Sequence, residues 1–101
     1  MLCFEKNRNT LTVTLSGELD QREAADIRAE VDELLEDRQI RRLIFDLSGL
    51  RFMDSSGIGL IIGRYKRMRR RNGSVAVRGV SPRMGRILDM AGLFQLVERL
   101  A

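Results

Sequence analysis

Two serines between an aspartate and a glycine are the residues of this sequence with the clearest chemical potential. The segment "FMDSSGIG" places Asp54, Ser55, Ser56 and Gly57 directly before an apolar run. A serine in such a position can cap a helix, act as a nucleophile beside a base, or accept a phosphoryl group. Each role makes a different demand on the rest of the chain.

A nucleophilic serine needs a neighbouring base, and the sequence offers little that could serve as one. The chain has no histidine, and Lys6 and Lys66 are its only lysines. The serine pair lacks the G-x-S-x-G pattern of hydrolases, and no glycine-rich phosphate loop of the P-loop type is present. We therefore expect no catalytic residue and predict that the protein is not an enzyme.

Helix capping and phosphate acceptance remain, and they are compatible with each other. Asp54 is suited either to cap the helix that follows or to position a serine hydroxyl. A cap explains one serine but leaves the second unexplained. A phosphate at a helix N-terminus meets unpaired amides and a favourable dipole, so phosphorylation there would alter the surface and leave the fold intact.

Three glycines follow the serines. Gly57, Gly59 and Gly63 stand at the start of the predicted helix, and Gly59 and Gly63 are four residues apart on one face. Close packing of the helix is the expected reason for them, because glycine has no side chain to separate two elements. Contact with the backbone of a partner protein is the alternative.

The first half of the chain predicts a hairpin, a helix and a strand. "LCFEK" and "LTVTL" read as strands joined by the turn "NRN". Apolar residues at helical spacing predict a helix from about Arg22 to Glu36. The run "RLIFDL" (42–47) predicts a central strand covered on both faces.

The second half continues the alternation of helices and strands. Helical spacing predicts a helix from near Ser56 to Asn72 or Gly73, and "SVAVRGV" predicts a strand. Ser81 and Gly92 are suited to begin and end a third helix, whereas "LFQLVERL" fits an edge strand or a helical turn. We predict one α/β domain over residues 1–101, with an opening hairpin and a mixed sheet of about four to five strands.

The composition indicates the cellular compartment of the protein. Cys3 is the only cysteine, so it can form no internal disulfide, and it has neither a second thiol nor a histidine with which to build a metal site; this favours a reducing compartment. No apolar run approaches the length of a membrane span. We expect a cytoplasmic protein without a metal, a bound cofactor or a membrane association.

The net charge of +4 conceals a strong asymmetry. Residues 1–50 carry 7 basic and 11 acidic side chains, and residues 51–101 carry 11 basic and 3 acidic ones. Six lysines or arginines lie in the segment from Arg64 to Arg71. The simplest interpretation is a solvated helix end, where positive charges complement the helix dipole. This cluster would also suit an acidic partner protein. Nucleic-acid binding is disfavoured, because the chain has few aromatic side chains for stacking on bases: one tyrosine, four phenylalanines and no tryptophan.

Three motifs together resemble those of a known family. "LSGELD" (15–20), "FMDSSGIGLIIGRYK" (52–66) and "SPRMGRILDMAGLF" (81–94) occur in the same order as in the anti-sigma factor antagonists of the STAS domain family. The resemblance implies phosphorylation of Ser55, and less readily of Ser56, by an anti-sigma factor that is also a serine kinase. The unphosphorylated form would bind that kinase and release a sigma factor, and a metal-dependent serine phosphatase would reset the switch.

The resemblance also implies a docking surface around the phosphoacceptor. Asp20, in the family's G-E-L-D motif, would support phosphorylation and docking, although the spacing to Glu23 also predicts a capping box. ATP and magnesium would belong to the kinase. The implied docking surface comprises Asp20, Asp54, Ser55, Ser56, Gly57 and Gly59.

Family membership of this kind leaves the biological role open. Similar domains serve in sporulation, in stress responses and in transport systems, and some are modified by no kinase. A scaffold or transport-accessory module that is never phosphorylated is therefore the alternative function. We expect a monomer or a weak dimer.

Overall fold

The opening hairpin forms one edge of a five-stranded mixed sheet. The computed structural model describes all 101 residues. The strands lie in the order β1-β2-β3-β4-β5, with β1 antiparallel to β2 and the other pairs parallel. The predicted α/β fold is confirmed. The strands are β1 (Leu2–Asn7), β2 (Thr10–Leu19), β3 (Arg42–Met53), β4 (Ser74–Arg78) and β5 (Glu98–Arg99).

Three helices connect the parallel strands. They are α1 (Gln21–Leu34), α2 (Ser55–Arg70) and α3 (Pro82–Met90). Ser81 caps α3 by accepting a hydrogen bond from the Met84 N–H at 3.1 Å, and Gly92 follows the helix with a φ of 80°. The final segment combines both predicted alternatives, because a 3-10 turn (Leu93–Gln95) precedes the short β5. None of the helices has both the length and the apolar character that crossing a membrane requires.

The helices cover one face of the sheet. Parallel pairing sets Phe45 of β3 between Val13 and Val77, and all three belong to a single apolar core that also contains residues of each helix. Ile44 and Ala76 point to the opposite face and lie outside that core. Both are nevertheless buried, Ile44 with 8% and Ala76 with 0% of its surface exposed, so residues 43–45 of β3 are buried on both faces, as predicted. Right-handed crossovers that advance steadily across a sheet all return on the same side, so every helix lies there.

Strands β2 and β3 are longer than their apolar runs predict. They continue as a partly exposed ribbon in which Leu19 pairs with Met53, after register shifts near Ser16 and Glu18. Ser48, Gly49 and Arg51 interrupt the apolar run, so the sequence pattern predicted that β3 ends at residue 47. The extension matters because it ends both strands side by side, directly before α1 and α2.

Basic side chains of α2 pair with the acidic face of α1. Arg64 Nε lies 3.0 Å from Asp32 Oδ1, and Arg67 Nη1 lies 3.2 Å from the same oxygen. Arg67 Nη2 also approaches Glu36 at 3.6 Å. The interpretation of residues 64–71 as a solvated helix end is therefore wrong for these arginines, because α1 and α2 pack side by side on the sheet.

Arg71 is also bound within the chain. Its Nη2 donates to the carbonyl of Leu35 at 2.7 Å, and its Nη1 donates to the carbonyls of Asp37 and Ile40 at 3.3 Å each. It thereby holds the loop that follows α1, where backbone carbonyls lack helical partners. The remaining cations of the run, Lys66, Arg69 and Arg70, are exposed.

Candidate functional site

The N-termini of α1 and α2 lie side by side at one end of the sheet. The Asp54 N–H donates to the carbonyl of Leu19 at 3.2 Å, which joins the last residue of β2 to the residue that precedes α2. Asp20 and Asp54, each the first residue beyond its strand, line one open hollow. Parallel pairing thus brings together two motifs that are 34 positions apart in the sequence.

Both aspartates cap the helices that they precede. The Glu23 N–H donates to Asp20 Oδ1 at 2.9 Å, and the Ser56 N–H donates to Asp54 Oδ1 at 2.8 Å. Each carboxylate therefore satisfies an amide that has no partner within its helix, and its negative charge complements the helix dipole. Only one of the two hydrogen bonds of a capping box forms at Asp20, because the Glu23 carboxylate does not bond to the Asp20 amide.

The two serines differ in exposure. Ser55 is the first residue of α2 and is exposed, and its hydroxyl makes no hydrogen bond within the chain. Ser56 is half-buried and lines a groove between α1 and α2. Asp54 bonds to the Ser56 amide and makes no hydrogen bond to either hydroxyl, so the structure favours its capping role over the positioning of a serine. The Ser55 oxygen is therefore free to react.

Gly57 has the packing role that the sequence predicted. A Cβ atom at this position would lie 2.5 Å from Met53 Cγ and 2.9 Å from Leu19 Cδ2. The absence of a side chain lets the first turn of α2 rest directly on the ends of β2 and β3. This contact fixes the position of Ser55, two residues earlier, relative to Asp20.

Gly59 and Gly63 do not have that role. A Cβ atom at either position would meet no atom within 4 Å. Both residues line the groove between α1 and α2, and Gly59 is exposed. The expectation that they serve close packing is therefore wrong. They stand on the side of α2 that faces this open groove, and α1, on its other side, does not come within contact distance of them.

An exposed apolar patch adjoins the serine segment. Phe52, Ile87 and Met90 are 49%, 46% and 88% exposed, which is high for large apolar side chains. Phe52, Met53 and Ile87 line a hollow of about 170 Å³ between the end of β3 and α3. No pattern in the sequence joins Phe52 to Ile87, because they come from two distant segments that only the fold brings together.

The chain matches a family model and several relatives. The model described as STAS domain matches residues 3–101. An anti-sigma F factor antagonist of Paenibacillus polymyxa is 44% identical over 94 residues, which cover 93% of this chain and 80% of that relative. An anti-sigma-B factor antagonist of Bacillus subtilis is 29% identical over 94 residues, which cover 93% of this chain and 84% of that protein.

Two solved structures of one protein show the same fold. The anti-sigma factor antagonist SpoIIAA in its unphosphorylated form matches with a TM-score of 0.87 at 27% identity, over 100% of this chain and 89% of that one. The Bacillus cell fate determinant SpoIIAA in the phosphorylated form matches with a TM-score of 0.79 at 28% identity, over 100% of this chain and 92% of that one. The resemblance that the three motifs indicated is confirmed.

Proposed function

Because the chain belongs to the STAS domain family, we propose that it is an anti-sigma factor antagonist whose binding is switched by phosphorylation of Ser55. The observation that carries the proposal is the exposed, unbonded hydroxyl of Ser55 at the N-terminus of α2, directly after Asp54, which shares a hollow with Asp20. The unphosphorylated protein binds an anti-sigma factor and so releases a sigma factor. The protein itself catalyses no reaction.

Ser55 suits a phosphate better than Ser56 does. Its side chain is exposed to an incoming kinase, whereas Ser56 is half-buried against the groove. A phosphate adds roughly −1.5 to −2 charge, and the free amides at the start of α2 favour an anion. Phosphorylation at Ser55 therefore leaves the fold intact and changes the charge of the docking surface.

The added charge falls on a surface that is already acidic. Asp20, Asp54 and Arg22 line the hollow at the start of the two helices, so two negative charges and one positive charge face it before phosphorylation. A phosphate beside these two carboxylates concentrates negative charge there, and its bulk stands out from the helix end. Both effects oppose a partner that is shaped and charged for the free hydroxyl, which is how the switch releases it.

The anti-sigma factor is also the kinase in this proposal. The bond between the γ-phosphorus of ATP and its bridging oxygen breaks, ADP leaves, and a new bond forms from Ser55 Oγ to phosphorus. The hydroxyl proton passes to a base of the kinase. ATP and magnesium belong to the kinase, and a metal-dependent serine phosphatase removes the phosphate by hydrolysis. The cytoplasmic location stays a prediction from the composition.

Intact-mass spectrometry tests the modification directly. The protein is incubated with ATP, magnesium and a candidate anti-sigma kinase from the same genome, and modified peptides are then mapped. We expect the gain of one phosphate on Ser55, retained in Ser56→Ala and lost in Ser55→Ala. A partner that binds tightly but leaves the mass unchanged would sink the phospho-switch and favour the unmodified scaffold.

A further inference from the structure

The groove between α1 and α2 is a second feature with the character of a binding site. It has a volume of about 380 Å³, within the range of roughly 300–1,000 Å³ typical of small-molecule sites. Gln21 and Ser56 stand at the helix N-termini, and Arg28 and Arg64 line the groove two turns further along. Gly59 and Gly63 leave the stretch between them open.

The arginine end of the groove is poorly neutralised. No acidic residue lines the groove. Asp32, behind it, is shared by three guanidinium groups, with Arg28 at 3.9 Å, Arg64 at 3.0 Å and Arg67 at 3.2 Å. Glu36 forms an ion pair with Arg67 and with neither Arg28 nor Arg64. An excess of positive charge therefore remains where Arg28 and Arg64 meet.

Arg64 is buried without the hydrogen bonds that a buried charge requires. Its side chain is 8% exposed, and its Nη1 is buried with no hydrogen-bond partner. Burial lowers the pKa of Arg64, Asp32 opposes that change, and repulsion from Arg28 and Arg67 adds to it. A buried charge with an unmet hydrogen bond is costly. Nη1 itself has no accessible surface, so an anion in the groove would reach Arg64 through Nη2, the guanidinium nitrogen that is neither buried nor bonded within the chain, and would offset the charge from there.

We propose that this groove binds the phosphate group of a small molecule, with the Arg28 and Arg64 guanidinium groups as its donors. Guanidinium groups match the oxygens of phosphate in both charge and geometry. The open stretch along Gly63 and Gly59 then holds any organic part of the ligand. This site is separate from the Ser55 hydroxyl and does not depend on phosphorylation of the protein.

Nuclear magnetic resonance of the full-length, unphosphorylated protein tests the proposal. Inorganic phosphate is titrated at constant ionic strength with chloride as the competing anion, and glycerol 3-phosphate is titrated in parallel. We expect saturable shifts of the Arg64 Nε–H and of the Gly63 amide. Tighter binding of glycerol 3-phosphate, with added shifts at Gly59 and Ser56, identifies a phosphate ester as the ligand, and equal or weaker binding identifies free phosphate.

Three variants separate this site from general attraction to a basic surface. Arg28→Gln should weaken binding about tenfold, because one charge-assisted hydrogen bond is lost. Gly63→Leu should abolish binding by filling the groove, because a Cβ atom at this position meets no atom within 4 Å and the side chain extends into the open space. Arg70→Gln, on the same helix but exposed and without an ion pair, is the control and should bind as the wild type does.

Two results would overturn the proposal. The first is that the resonances of all surface arginines shift on titration and none of them saturates, which would indicate a general attraction of anions to a basic protein. The other is equal affinity in the wild type, Arg28→Gln and folded Gly63→Leu. If Gly63→Leu does not fold, the comparison of Arg28→Gln with Arg70→Gln still decides the outcome.

Discussion

Asp20 combines a structural role with a proposed functional one. Its carboxylate caps α1 through the Glu23 amide and also faces the hollow that it shares with Asp54. Serine caps helices about as well as aspartate but carries no charge, whereas alanine cannot cap. Substitutions at this one residue can therefore distinguish the two roles.

We expect Asp20→Ser to keep its stability and to lose phosphorylation. Its free energy of unfolding should stay close to the wild-type value, whereas Asp20→Ala should lose about 1 kcal/mol with its cap. The rate of phosphate transfer from the anti-sigma kinase should fall in both variants. Urea unfolding and a radiolabel assay provide the two readouts. Wild-type phosphorylation of Asp20→Ser would mean that Asp20 is a cap and nothing more.

The ionisation of Asp46 should make the free energy of unfolding depend on pH. Burial acts to raise the pKa of Asp46, but hydrogen bonds from Ser48 and the Arg78 ion pair at 2.9 Å outweigh it and hold the pKa below 3.8. The folded state therefore binds the proton less readily than the unfolded state. The stability that Asp46 contributes is fully present above about pH 4 and is lost as the pH falls through the folded pKa.

Asp46→Asn should accordingly lose less stability on acidification than the wild type does. Urea unfolding between pH 2 and pH 7 measures the two curves. Asp89→Asn is the control, because Asp89 is exposed and forms no ion pair. If the curve of Asp46→Asn runs parallel to that of the wild type down to pH 2, this account of Asp46 is wrong.

At the scale of the elements, Gly57 determines how closely α2 approaches the strand ends. Gly57→Ala places a methyl group against Met53 and Leu19, and such overpacking costs about 1–3 kcal/mol. We also expect slower phosphorylation of Ser55, because the first turn of α2 has to move. Gly63→Ala is the matched control and should be neutral or stabilising by about 0.5–1 kcal/mol.

Chemical denaturation of the two glycine variants provides the comparison. Both substitutions add one methyl group to the same helix, so the difference between them isolates the contact at Gly57 from helix propensity. Equal stability of Gly57→Ala and Gly63→Ala would contradict the close contact between α2 and the strand ends.

The order of elements could be predicted from the sequence, and the reason lies in particular residues. Ile27 and Val31 are spaced for a helix, "LTVTL" alternates as a strand does, and Ser81 with Gly92 delimits α3. These signals are local. The extension of β3 to Met53 was missed because its stability comes from pairing with β2, and the pairing of Arg64 with Asp32 was missed because it depends on how two helices pack.

At the scale of the whole molecule, the strand order determines what the sequence could not reveal. The parallel strands follow one another across the sheet in sequence order, and such an order places every helix on one face. It also brings the N-termini of α1 and α2 together, beyond the ends of β2 and β3. This arrangement joins Asp20 to the Ser55 segment, a juxtaposition that only the family resemblance anticipated. It also leaves β1 as an edge strand, and the expectation of a monomer or weak dimer stays a prediction.

The central claim is that a phosphate on Ser55 releases the partner, and one affinity measurement tests it most directly. The dissociation constant of the anti-sigma kinase is measured by calorimetry for the unmodified protein and for the purified Ser55 phosphoprotein. We expect phosphorylation to weaken binding by at least about 100-fold, since like charges brought together at an interface cost several kcal/mol. Equal affinity of the two forms would contradict the account.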